Sequence, residues 1–228
     1  MKIKDFTKLF KELTKDLEVN IIKESGLKIA FKIFLDLEKP NKTSRTKFIK
    51  DFLKGFNNRA SVRISNKSSV KPDKIVDIII HSRLPNLSNE EISLISSGHR
   101  VAMSAENILG HMLEEYIHMN VLEHGWTCCW GNVMKSIDFV SSKGILLQVK
   151  NRSNSENSSS SKIRVGTEII KWHRIDANTG TTYWEKLNEL IGNKTQMSEK
   201  EFSTFVKKVV KKNPNSIFIE KDSDLWKD

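Results

Sequence analysis

The stretch that most constrains this chain runs from Lys135 to Lys171. Its opening, Ile137-Asp138-Phe139-Val140, sets a carboxylate among apolar, β-favouring residues, which predicts a strand. Ser141 to Gly144 reads as a turn, and Ile145 to Val149 is a second apolar run of strand length ending on Lys150. Side chains alternate along a strand, so Gln148 and Lys150 share one face while Val149 points away. Antiparallel pairing of the two runs would bring Asp138 beside that pair. A carboxylate, an amide oxygen and an ammonium would then converge at one edge of a sheet. Two readings fit such a set: a reaction centre, or a partly buried Asp–Lys ion pair that only supports the core.

Phosphodiester hydrolysis would use what that edge offers. Asp138 and the Gln148 oxygen are hard ligands suited to Mg²⁺. A bound ion would polarise a phosphate and lower the pKa of a water. Lys150 could position that water or stabilise developing negative charge. The spacing resembles the PD-(D/E)xK nuclease motif, written here as Ile137-Asp138 followed by Gln148-Val149-Lys150. It departs from the pattern twice, with Ile for Pro and Gln for the second acid. The second change removes one negative charge from the metal site. An acid on a strand followed by an xK pair is common, so context has to decide. That context is the string QVKNRSNSENSSSS with AMSAENILGHMLEEY upstream and GTEIIKWHR downstream. Together they resemble the SinI family of type II restriction endonucleases, from about Leu87 to Leu187.

The resemblance implies an α/β fold: a restriction-endonuclease-like PD-(D/E)xK core with a mixed central β-sheet flanked by helices, plus a helical, basic N-terminal region. The expected organisation is a DNA-contacting or core-packed region at 1–86, the catalytic core at 87–192 and a completing helix and strand at 193–228. Asp138, Gln148, Lys150 and Glu114 are the expected catalytic set. Asp138, Gln148, Glu114 and the Val149 carbonyl are the expected metal ligands. Glu114 follows from a family habit of placing an acid on the helix before the metal strands, with Glu115 in reserve. Paired acids on a helix otherwise make a solvated face. The family also implies double-stranded DNA as substrate, a short palindromic target of the GGWCC kind, and a homodimer that matches two half-sites. The other reading is a non-catalytic, sequence-specific DNA-binding protein on a degenerate nuclease fold, which Gln148 favours.

The segment 151–165 is rich in Ser and Asn and would pass for a flexible linker, yet it leaves directly from the proposed metal strand. Asn suits adenine edges, Arg suits guanine, and Ser or backbone N–H suits phosphate. The expected DNA contacts are Asn151, Arg152, Asn154, Asn157, Ser159, Lys162, Arg164, Thr167 and Lys171. Gly166-Thr167 is expected to open a helix through Trp172 whose first amides bind phosphate. Lys171, His173 and Arg174 extend the basic character.

Net charge is +10, and the first 75 residues hold 19 Lys/Arg against 9 Asp/Glu while the remainder is balanced. That N-terminal excess suits a polyanion, and equally suits ordinary solvated helix faces. No run is long and apolar enough for a membrane helix, and Met1 to Leu13 lacks the apolar stretch of a signal peptide. Cys128 and Cys129 read as buried small groups, which fits a reducing cytoplasm. There is no GxxxxGK[ST], so no nucleotide cofactor is expected.

Along the chain, helical spacing predicts helices over Asp5–Leu17, Leu27–Leu37 and Thr46–Phe56, with their aromatics in the core. Pro72–His81 predicts another. Ser88-Asn89-Glu90-Glu91 is a capping box for a short helix through Ile95, and Ser104 caps the next, through about Leu122. On that helix His111 and His118 are expected to be exposed. Gly125–Asn132 predicts a strand and turn, Asp176–Thr182 a turn, Trp184–Ile191 a helix, and Ser198 the cap of a helix through about Lys211. Ser216–Glu220 is expected to add an edge strand.

Overall fold

A long helix lies against a mixed sheet and organises the rest of the chain. The computed structural model describes residues 3–65, 73–153 and 169–217. The helix, α6 (Asn89–Val121), has 33 residues, about 50 Å at 1.5 Å per residue. Its capping box forms as the spacing predicts: the Ser88 hydroxyl accepts from the Glu91 N–H, and the Glu91 carboxylate accepts from the Ser88 N–H. The second expected start, at Ser104, does not form. No proline interrupts the stretch, and the helix runs straight through Gly98 and Ser104 as one element.

The sheet has strands β1 (Trp126–Cys128), β2 (Phe139–Ser141), β3 (Leu146–Arg152) and β4 (Ile169–Ile175), in that spatial order. The first three pair antiparallel, and β3 pairs parallel with β4, so the sheet is mixed as expected. The fourth strand corrects the sequence reading, which continued a helix from Gly166 through Trp172. IIKWHRI is β-branched and aromatic, and pairing along all of β3 outweighs a local start signal of Gly and Thr. Gly166 and Thr167, where a phosphate-binding helix terminus was expected, lie outside the described residues.

Four N-terminal helices, α1 (Ile3–Leu13), α2 (Val19–Ser25), α3 (Leu27–Glu38) and α4 (Lys42–Phe56), account for the basic region. Their inward aromatics stack on one another, Phe34 against Phe48 at 4.2 Å between ring centres. They are core, as the periodicity implied. One apolar cluster runs from Phe6 to Val209, so these helices and the sheet share it. α3 lies against β1 and β2, while α6 lies against β1 and β3. At the other side of α6, Tyr116 meets Trp184 of α7 (Trp184–Leu190) and Phe202 of α8 (Glu199–Lys212). The chain after α8 forms a 3₁₀ turn at Pro214–Ser216 where an edge strand was expected, and 218–220 lie outside the described residues.

Two glycines lock α4 onto the turn after β1. A Cβ on Gly55 would sit 2.2 Å from the Gly131 nitrogen, and Gly131 itself has φ +79°. Only side chains of no size let the two backbones approach so closely. The contact sets the end of α4 beside Trp130–Asn132, and a cleft opens between them.

Candidate active site

That cleft holds about 370 Å³. Asn58 and Arg59 wall it from the end of α4, Asn107, His111 and Glu114 from α6, and Asp138 stands where β2 begins. Asp138 is held at three points. Its N–H donates to the Leu147 carbonyl at 2.9 Å, and its own carbonyl accepts from the Cys129 N–H at 2.8 Å. Its carboxylate Oδ2 accepts from the Val149 N–H at 2.8 Å. The side chain thus takes over the ladder where β3 outruns its partner, and one carboxylate oxygen is fixed by the strand that carries Gln148 and Lys150.

Burial, helped by the nearby Glu114 charge, raises the Asp138 carboxyl to about 6. The Val149 N–H and the Lys150 ammonium pull the other way. The site therefore carries two carboxylates close enough to repel, with one lysine in electrostatic reach. Gln148 is buried, and its position in the β3 alternation places it on the Lys150 face. Across the parallel ladder Gln148 stands in register with Lys171, and Lys150 with His173.

The neighbouring acids on α6 take different surroundings. Glu114 lines the cleft, half-buried, with His111 Nδ1 at 3.8 Å. Glu115 is buried and accepts from both the backbone N–H and the hydroxyl of Ser61, at 2.8 and 2.5 Å, with Arg59 Nε at 3.4 Å. Glu115 thereby ties the chain after α4 to α6.

His118 corrects its expected exposure. It is buried, its Nδ1 accepts from the Cys128 N–H at 3.2 Å, and its Nε2 lies 2.8 Å from the Glu24 carbonyl. Burial, aided by the Arg59 charge, lowers its pKa to about 4, so the ring is neutral and Nε2 donates. The signal was in the spacing: His111, Glu114, Glu115 and His118 fall at i, i+3, i+4 and i+7, one face of the helix. Cys128 and Cys129 are buried free thiols, held well above the usual thiol range by burial.

Arg174 also departs from its expected basic surface role. It is buried, paired with Glu199, and its Nε donates to the Asn151 Oδ1 at 2.9 Å. Glu199 in turn accepts from Trp184 Nε1 at 2.8 Å. The Asn151 carbonyl, expected at a DNA groove, thus serves an internal network. Arg152 and Lys171 are exposed. Asn154, Asn157, Ser159, Lys162, Arg164 and Thr167 lie outside the described residues. Sequence reasoning did not single out Asn58, Arg59, Asn107 or Asn132 as cleft residues, because they meet only in three dimensions.

Comparison with known proteins establishes the family of the chain. The family model described as SinI restriction endonuclease matches residues 18–212. The chain belongs to the SinI restriction endonuclease family. It is similar to the type II restriction enzyme Eco47I of Escherichia coli, 35% identical over 172 residues, which covers 73% of this chain and 74% of that enzyme. It is also similar to the type II restriction enzyme SinI of Salmonella infantis, 36% identical over 146 residues, 62% of this chain and 63% of that enzyme. The enzyme class expected from the sequence, a type II site-specific deoxyribonuclease, is that of this SinI-family chain.

Type II restriction enzymes use divalent metal ions, and the donor chemistry here can be weighed against that need. Among the described residues no group of three or more His, Cys, Asp or Glu converges on a metal position. The carboxylates that line the cleft are those of Asp138 and Glu114, whereas Gln148, Val149 and Lys150, along β3 at the Asp138 anchor, are not among its lining residues. Carboxylates are hard donors suited to Mg²⁺, and a divalent cation would offset both the burial that lifts Asp138 and the smaller repulsion from Glu114.

Proposed function

We propose that this chain hydrolyses phosphodiester bonds in double-stranded DNA at a short, palindromic sequence, with Mg²⁺ as cofactor. The observation that carries the reading is the pinned, partly buried Asp138 carboxylate, sharing a cleft with Glu114 and in the electrostatic range of Lys150. Asp138, Glu114, the Gln148 oxygen and the Val149 carbonyl would hold the ion. When bound, it polarises the scissile phosphate and lowers the pKa of a coordinated water. Lys150 orients the attacking water and offsets charge developing on the phosphate. Val149 keeps Asp138 in place through its N–H. Glu114 supplies a second negative charge where Gln148 has none.

Exposed Arg152, at the end of the β3–β4 ladder, and Lys171, in register with Gln148, are the DNA contacts we assign among the described residues, with Asn154, Asn157, Ser159, Lys162, Arg164 and Thr167 on the connecting stretch. A GGWCC-like target, a homodimer and a cytoplasmic setting complete the reading, because a palindrome presents two equivalent strands to cut. Among the described residues no helix is long and apolar enough to cross a membrane.

Incubating purified protein with a long natural DNA, in Mg²⁺ or in EDTA, tests the proposal. Discrete fragments only with Mg²⁺ are expected, and sequencing their ends gives the target. The second reading, a binding module on a degenerate site, is favoured by Gln148 in the place of an acid. DNA left intact in Mg²⁺ yet retarded on a gel would select it.

A further inference from the structure

The helix α5 (Lys74–Arg83) and the first half of α6 form a pair of helices whose outer faces are apolar and uncovered. No described residue of α5 is buried, although five of its ten residues are Ile or Val. Ile75, Val76, Ile78 and Ile79 are 49–63% exposed, and Leu94 and Ile95 on α6 are 40% and 44% exposed. α5 is tied to α6 by the Ser96 hydroxyl, which donates to Asp77 at 2.7 Å, beside a groove lined from α5 by Asp77, Ile78, His81 and Ser82. A monomer rarely leaves a contiguous apolar patch of more than a few hundred Å². Six half-exposed aliphatic side chains on two adjoining helices are a start towards the roughly 800 Å² that a stable interface needs on each partner.

From this face we infer that α5 and the first half of α6 form the contact with a second copy of the chain. The inference deepens the homodimer proposed above and rests on it. Charge selects the occupant. The chain's basic excess lies before this region, while residues 73–107 hold more acids than Lys/Arg, which disfavours a polyanion here. α5 is also self-complementary: Asp73 stands at its start and Arg83 in its last turn, while Asp77 and His81 line the groove towards α6. Two copies of α5 packed antiparallel about a two-fold axis place acid against base at both ends and oppose the helix dipoles. The axis then crosses near Ile78 and Ile79, the middle of the helix.

Analytical ultracentrifugation of the full chain, wild type and Ile79→Asp, tests this. A dimeric wild type and a monomeric variant, its dissociation constant raised on the order of 100-fold or more, are expected. A variant that stays dimeric overturns this surface and leaves the homodimer standing. A monomeric wild type overturns both, and if its affinity for duplex DNA falls in the variant, the face belongs to DNA. Should Ile79→Asp misfold, Ile79→Cys keeps the question open to decision, since Cys128 and Cys129 are buried. Mild oxidation is expected to give a covalent dimer through that single exposed thiol, and failure to cross-link counts against the antiparallel α5 contact.

Discussion

The two halves of α6 are one continuous helix with opposite surroundings. From residue 89 to 107 only Ile92 and Ser97 are buried, whereas from 108 to 121 burial takes in Ile108, Met112, Leu113, Glu115, Tyr116, Ile117, His118 and Val121. The second half touches the sheet on one side and Trp184 and Phe202 on another, so even its polar residues are enclosed. The first half carries the contact with α5, through Ser96 and Asp77. The difference teaches that a helix acquires chemistry where it is crowded: Glu114 perturbs Asp138 and His118 loses its basicity because the sheet excludes water there.

The sharpest break of that comparison is at the site. Asp138→Asn is expected to lower the cleavage rate by roughly 10³-fold or more, and Glu114→Gln by roughly 10²–10³-fold, with unchanged circular dichroism. Single-turnover cleavage of a mapped target measures both. Cleavage by Glu114→Gln at the wild-type rate would remove α6 from the reaction centre. Glu115→Ala should behave in the opposite sense. It strands Ser61 and Arg59 and is expected to cost about 3 kcal/mol in urea denaturation, while the folded fraction still cuts.

His118 gives the crowded half a signature in pH. Its folded pKa of about 4 lies below the ordinary value of 6.5, so above pH 6.5 the ring is neutral in both states and its contribution is complete. As pH falls from 6.5 towards 4 the unfolded chain takes up the proton first, and stability drops by up to about 3 kcal/mol. Equilibrium unfolding across that window should show the slope, and His118→Gln should flatten it.

The uncrowded half should respond weakly and locally. Ser88→Ala removes the capping box and is expected to cost about 1 kcal/mol. Gly98→Ala meets no atom within 4 Å and should stabilise by about 0.5–1 kcal/mol, readable as a rise in Tm. The same change at Gly55 drives a methyl into the Gly131 backbone and should prevent normal folding.

Much of this arrangement was legible because its signals are local. The Ser88–Glu91 box, the turn at Ser141–Gly144, the alternation through Gln148 and Lys150 and the Phe-bearing faces of the N-terminal helices each depend on spacings of two to four residues. What escaped reading depends on partners distant in sequence. Ile169–Ile175 became a strand because β3 offered a ladder, Arg174 turned inward because Glu199 and Asn151 wait there, and Ser104 lost its cap role to a helix already running.

By itself the sequence determined that an acid, a turn and a Gln-x-Lys strand would be neighbours in one sheet, since period-2 alternation and a short turn leave few other outcomes, but not that β2 and β3 would lie inside it between β1 and β4. It also determined family membership, carried by strings that no fold alone dictates. The tertiary structure decided which of two adjacent acids faces the cleft. Consecutive helix residues point about 100° apart, and the choice between them falls to whatever packs alongside. Here Ser61 and Arg59 claimed Glu115, and the β2 edge left Glu114 for Asp138.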